Sequence, residues 1–186
     1  MRLFVAIDPP ADVLDNLGAW LDQVRPLAKL AWSPVENLHI TTKFVGEWPE
    51  RPLDKTAPGL EEMKMALAAV AIPEPVDIEI RGLGWFPNPH RPRVFWAGVE
   101  AREPLRNLAR ATEQATAQLG VPVEERPYSP HVTLARIRNP VPLDSLREAV
   151  SKHETQTFGQ FRASAFYLYL SAGGRYTRLM EFPLSS

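Results

Sequence analysis

Two stretches of this sequence answer one another at a distance of about half the chain. Arg2-Leu3-Phe4-Val5-Ala6 opens an apolar run, and Arg93-Val94-Phe95-Trp96-Ala97 opens another 91 residues later. His39-Ile40-Thr41-Thr42 begins an alternating segment, and His131-Val132-Thr133-Leu134 begins another 92 residues later. A repeated order of elements at a near-constant offset marks an internal duplication. Period-2 alternation predicts strands over Arg2–Asp8, Leu38–Val45, Val76–Phe86, Arg93–Val99, His131–Ile137, Phe161–Leu170 and Tyr176–Phe182. Helical spacing predicts helices over Pro9–Leu27, Leu60–Val70, Leu105–Leu119 and Leu143–Val150. The expected fold is therefore α+β. It is a single bilobal domain with pseudo-repeats of about 1–92 and 93–186. Two antiparallel sheets carry their helices outside, and a pseudo-twofold leaves a central cleft, the usual place for a ligand.

Composition excludes several classes. The chain has 186 residues, 45% of them hydrophobic and 23% charged, as in a soluble globular protein rather than a disordered chain or a fibre. With no Cys it can build neither a disulfide nor a thiolate metal site. A net charge of −1 gives no overall positive field to draw in long nucleic acid. No apolar run approaches the roughly 20 residues of a membrane span. The opening MRLFVAIDPP is interrupted by Asp8, Pro9 and Pro10, so it reads as a first strand rather than a signal peptide. The expectation is a cytoplasmic monomer with no membrane partner. Of 21 basic residues, 16 are Arg. That bias suits phosphate recognition, and a GC-rich genome would give it too.

Three of the four His have Thr two positions later: His39, His131 and His153. His153 lies in the polar run His153-Glu154-Thr155-Gln156 and reads as a solvated surface residue. The other two lie in strands, where residues i and i+2 share a face about 7 Å apart. His39 and Thr41 then face one way, with Ile40 and Phe44 opposite. His131 and Thr133 likewise oppose Val132 and Leu134. If the lobes are related by a rough twofold, the two polar pairs meet across the cleft.

Two imidazoles and two hydroxyls suit displacement at phosphorus. A neutral His can take a proton from water while a protonated His gives one to the leaving oxygen. The hydroxyls can donate to the developing oxyanion. Attack and departure lie on opposite sides of phosphorus, as two His on opposite walls would require. A cyclic phosphate is apt, because its own ring supplies the leaving oxygen. A metal site would need three or four ligands, and the chain has neither Cys nor an HExxH motif; the expectation is no metal and no cofactor.

The segments HITTKFVGE (39–47) and PYSPHVTLARI (127–137) resemble the paired HxTx motifs of the 2H phosphoesterase superfamily. GLGWFPNPHRPRVFWAGV (82–99) resembles the segment joining the halves in its RNA 2′,3′-cyclic phosphodiesterase branch, also called the 2′-5′ RNA ligase family. The resemblance implies hydrolysis of a 2′,3′-cyclic phosphate, on an RNA end or a small cyclic nucleotide, to a 2′-phosphate without a metal. It implies His39 as general acid on the 3′ oxygen and His131 as general base on water. Thr41 and Thr133 would hold the non-bridging oxygens, and Arg136 and Tyr128 match family positions near the phosphate. Thr42 stands where the first motif usually has an apolar residue, and in a strand it points away from the cleft. The same acid–base pair would also serve 2′-5′ RNA ligation or cleavage, and a binder of RNA ends or nucleotides that lacks catalysis would keep the same cleft.

Other residues are more ambiguous. Arg136 falls out of step with Thr133, so a slight twist or bulge is needed to bring its head into the cleft, which its long stem makes easy. Phe44, Trp85, Phe86 and Trp96 are candidates to stack a base, with core packing the expected role for Trp96. Arg91, Arg93, Arg138 and His90 read as solvent-facing.

Overall fold

The computed structural model describes residues 1–52, 54, 56–100 and 102–184. Its strands are β1 (Arg2–Ile7), β2 (Ala31–Trp32), β3 (Ile40–Glu47), β4 (Val76–Phe86), β5 (Val94–Val99), β6 (His131–Arg136), β7 (Thr157–Ala163), β8 (Ala165–Ala172) and β9 (Arg175–Pro183). Its helices are α1 (Ala11–Val24), α2 (Leu60–Ala68), α3 (Glu103–Ala117) and α4 (Asp144–Ser151).

The strands form one nine-stranded antiparallel sheet in the order β7-β4-β5-β6-β3-β1-β8-β9, with β2 beside β6. The two expected sheets are two leaves of it. They meet where β3 touches β6 through the single pair Ile40–Val132. Beyond that pair β3 diverges, and β2 takes its place along β6, opposite Ala135 and Arg136. The divergence opens the cleft. Reading outward from the junction, β1-β8-β9 lies on one side and β5-β4-β7 on the other.

The leaves do not follow the halves of the sequence. β4 belongs to the first half but forms a hairpin with β5. β8 belongs to the second half but pairs with β1. The strand expected over Phe161–Leu170 is two strands for the same reason. Ala163 ends β7, which pairs with β4 on one outer flank, and Ala165 begins β8, which pairs with β1 in the other leaf. The hydrophobic pattern runs on through Ser164, so periodicity alone hides the crossing.

The sheet buries its faces unequally. Leu3, Val5 and Ile7 of β1 point into the main core with Val13, Leu17 and Leu21 of α1. These α1 residues recur every four positions and make one continuous stripe. In α3, Leu105, Leu108, Ala109, Thr112, Ala115 and Thr116 do the same. On the opposite face of β1, Phe4 and Ala6 form a smaller cluster with Tyr169. That second face carries the motifs.

Candidate active site

Each motif histidine is fixed by the carbonyl two residues before it. His39 Nδ1 lies 2.7 Å from Asn37 O, and His131 Nδ1 lies 2.9 Å from Ser129 O. A carbonyl can only accept, so Nδ1 carries the hydrogen in both rings. Both Nε2 atoms are therefore left for chemistry. Aromatic rings hold the imidazoles in place. Phe4 and Tyr176 lie 4.8 and 5.2 Å from His39, centroid to centroid. Phe86 meets His131 edge-on at 5.0 Å.

The register brings the remaining residues to the same face. Thr41 pairs with Ala6 and Lys43 with Val5, leaving Thr42 as an extra residue. Thr133 pairs with Trp96 and Ala135 with Phe95, leaving Leu134 as an extra residue. Each is a β-bulge, which shifts the alternation by one position. After the second bulge, Arg136 pairs with Val94 on the face of His131 and Thr133, as its expected role demands. After the first, Phe44 pairs with Phe4. Simple alternation puts Phe44 opposite His39; instead it shares the cleft face and is 62% exposed. Thr42 does point away, 6% exposed, with its hydroxyl donating to Val5 O at 3.3 Å.

Tyr128 reaches across between the motifs. Its hydroxyl donates to Thr41 O at 3.0 Å, so it braces the first motif from the loop of the second. Burial pushes its phenol well above the ordinary value. Ser33 braces the second bulge. Its hydroxyl donates to Thr133 O at 2.9 Å and its amide to Leu134 O at 2.9 Å.

Among the aromatic candidates, Trp85 stacks on core residue Phe95 at 4.5 Å. Trp96 is not in the core. It pairs with Thr133 and packs on Phe86 at 5.1 Å. Its ring crosses Gly84, where a Cβ would sit 2.2 Å from it. Arg91, Arg93, Arg138, His90 and His153 are exposed.

Burial lowers both histidine pKa values from 6.5 and is the largest cause in each. The charges differ between them. Asp8 raises His39, while His131 and Arg136 lower it. Arg136 is the charged group acting on His131, and it lowers it. Sequence reading missed Asp8, Tyr169, Tyr176 and Arg178, which surround His39. The alternation of Tyr167 with Tyr169 and of Tyr176 with Arg178 was the available signal.

Among the described residues, no group of three or more His, Asp or Glu could hold a metal ion. No helix among them is long and apolar enough to cross a membrane.

Residues 13–175 match the family model of the 2′-5′ RNA ligase superfamily. The chain is 32% identical over 189 residues to the RNA 2′,3′-cyclic phosphodiesterase of Methanothermobacter thermautotrophicus, covering 99% of each protein. It is 30% identical to the protein of that name from Methanocaldococcus jannaschii, covering 92% of this chain and 91% of that one. A solved structure from Thermus thermophilus superposes with a TM-score of 0.76 at 31% identity, covering 98% of this chain and 97% of that one. E. coli LigT complexed with 3′-AMP gives 0.73 at 25% identity, covering 100% and 98%. The matched motifs and the shared fold together mean that this chain belongs to the 2′-5′ RNA ligase superfamily.

Proposed function

We propose that the protein hydrolyses RNA-terminal or nucleoside 2′,3′-cyclic phosphate to the 2′-phosphate, using a two-histidine acid–base pair and no metal. The observation that carries this reading is the matched anchoring of His39 and His131, each by Nδ1 on a backbone carbonyl. The names of the relatives from M. thermautotrophicus and M. jannaschii support the substrate. The 3′-AMP bound by LigT supports a nucleotide in the cleft.

In this reading Nε2 of neutral His131 takes a proton from water, and the water oxygen attacks phosphorus. The bond from phosphorus to the 3′ oxygen breaks on the far side. Nε2–H of protonated His39 gives its proton to that oxygen. The products are a 3′-hydroxyl and a 2′-phosphate, and the two histidines have exchanged protonation states. Arg136 disfavours the proton on both histidines, while Asp8 favours it on His39 alone; the Asp8 charge supports His39 as acid and His131 as base. Arg136, Thr41 and Thr133 would hold the non-bridging oxygens, where preorganised donors stabilise developing charge. Phe44 would offer a ring to the substrate. Tyr128 acts on Thr41 rather than on the phosphate.

The test is a short RNA ending in a 2′,3′-cyclic phosphate, incubated with the protein and excess EDTA. Ring opening to a 2′-phosphate, identified by mass and by nuclease mapping, is the expected result. A 3′-phosphate product would reverse the polarity of the site, and an untouched end would overturn the reading.

A further inference from the structure

Two hydroxyls cross between the halves of the chain to the motif threonines. Tyr128, from the second half, donates to Thr41 O at 3.0 Å, and Ser33, from the first half, donates to Thr133 O at 2.9 Å. The two bulges beside these threonines are secured differently. After the first stands Lys43, whose ammonium is locked by Glu113 and by Pro122 O. After the second stands Ala135, buried, whose methyl group can make no such bond. The second bulge therefore depends on what meets it from outside the β5–β6 ladder.

Ser33 meets it there. β2 runs along the other side of β6 in step, with Ala31 opposite Arg136 and Trp32 opposite Ala135. Ser33 comes next and falls at the bulge. Its amide donates to Leu134 O and its hydroxyl to Thr133 O, both at 2.9 Å. A bulge takes a residue out of the ladder, and backbone carbonyls there need donors from elsewhere. Ser33 is itself pinned: Arg25 donates to its carbonyl at 3.0 Å, and the neighbouring Trp32 indole donates to Ala28 O at 3.0 Å.

We propose that Ser33 is a positioning residue: its hydroxyl holds the second bulge, and the bulge turns Arg136 onto the cleft face. The inference rests on the reading of Arg136 as a ligand of the phosphate. Side chains of a strand alternate between its faces. With the bulge, Arg136 lies on the face of His131 and Thr133. Without it, Ala135 would follow Thr133 on that face and Arg136 would turn away. The long stem of Arg136 can make up part of that turn, so loss of the hydroxyl weakens the phosphate contact rather than abolishing it.

The test is a double-mutant cycle between Ser33 and Arg136, with adenosine 2′,3′-cyclic phosphate as substrate. Ser33→Ala should lower kcat/KM about 3- to 10-fold, the weight of one hydrogen bond. Ser33→Thr keeps the hydroxyl and should stay within about twofold of wild type. In the Arg136→Gln background, Ser33→Ala should cost less than about twofold, because the group it positions is gone. A residue that only supports the fold would lower the melting temperature and leave the rate per folded molecule unchanged, or add its loss in full to that of Arg136→Gln. Either result overturns the positioning role, as does an equal loss in Ser33→Thr and Ser33→Ala. If the wild-type protein leaves the cyclic phosphate closed, the proposed hydrolysis fails, and affinity for adenosine 2′-phosphate decides Ser33 by itself. That affinity should fall about 3- to 10-fold in Ser33→Ala, and equal values in the two proteins refute the inference.

Discussion

Thr42 and Leu134 hold the same position in two different strands: each is the unpaired residue of a β-bulge, three places after a motif histidine. The paired bulges make Phe44 and Arg136 structural counterparts, both five places after a histidine and both turned to the cleft face. One counterpart is a ring and the other a guanidinium, so the site is symmetric in backbone and asymmetric in chemistry. A charge-assisted hydrogen bond contributes about 1.5–3 kcal/mol. Arg136→Gln should therefore lower kcat/KM for the cyclic phosphate about 10- to 100-fold, and Phe44→Ala should act on KM. Steady-state kinetics of both variants provide the check, and an unchanged rate for Arg136→Gln would remove it from the phosphate site.

The histidines carry the proposed proton transfers. General acid–base groups contribute roughly 10²–10⁴-fold each. His39→Ala and His131→Ala should each lose that much in rate. The double variant should lose less than the product of the two, because one transfer without the other completes nothing. Single-turnover measurements with circular dichroism as a folding control decide it; near wild-type rate in either single variant would remove that residue from the mechanism.

Acidity gives a third expectation. Both folded-state pKa values lie below 6.5, with burial the main cause. Activity needs His39 protonated and His131 neutral, so the kcat/KM bell should centre on the acid side of 6.5. A bound phosphate anion favours protonated histidine, so the kcat bell should move to higher pH. Stability follows the same groups. As pH falls below 6.5 the unfolded chain binds more protons than the folded one, so stability drops. His39→Gln should flatten that slope. Rate profiles and urea titrations from pH 4.5 to 8 would show it, and a bell centred above pH 7.5 for kcat/KM would contradict it.

Tyr128 distinguishes a brace from a substrate contact. Tyr128→Phe removes the bond to Thr41 O, worth about 0.5–1.5 kcal/mol. The expected loss appears in thermal stability, with KM changed less than about threefold. A large rise in KM with unchanged stability would make Tyr128 a direct ligand of the phosphate instead.

Lys43 is buried, 4% exposed, and its ammonium is held by Glu113 of α3 and by Pro122 O at 2.8 Å. This pair ties the first motif strand to the helix behind it. Removing one partner of a buried pair destabilises by about 3–5 kcal/mol. Glu113 keeps some contact with water, so Glu113→Ala should fall near the lower end. Replacing both groups, as in Lys43→Met with Glu113→Leu, should recover most of it. Urea unfolding of the three variants tests the pair, and Glu113→Ala with wild-type stability would show that it contributes nothing.

The sequence by itself determined most of the elements and which motif residues share a strand face. Alternation places His39 beside Thr41 and His131 beside Thr133, and helical stripes such as Val13, Leu17 and Leu21 identify the faces that must be buried. Those are local consequences of periods of 2 and 3.6, so they survive without knowledge of partners. Even the need for a twist or bulge before Arg136 followed from counting residues, and the strand pairing decided for the bulge. The tertiary structure decided the rest. Strand exchange between the leaves, the break at Ser164 and the single Ile40–Val132 junction all depend on which strands pair, and pairing between residues far apart leaves no periodic trace. The bulge at Thr42 leaves no trace in the alternation because Lys43 is a polar residue on a buried face, satisfied by Glu113 and Pro122 O, 70 and 79 residues on. The hollow beside His39 is lined by Asp8 and Pro9 just past β1, Leu14 of α1, residues 36–39, and Tyr169, Tyr176 and Arg178 of β8 and β9, which become neighbours only when the last two strands fold back against the first.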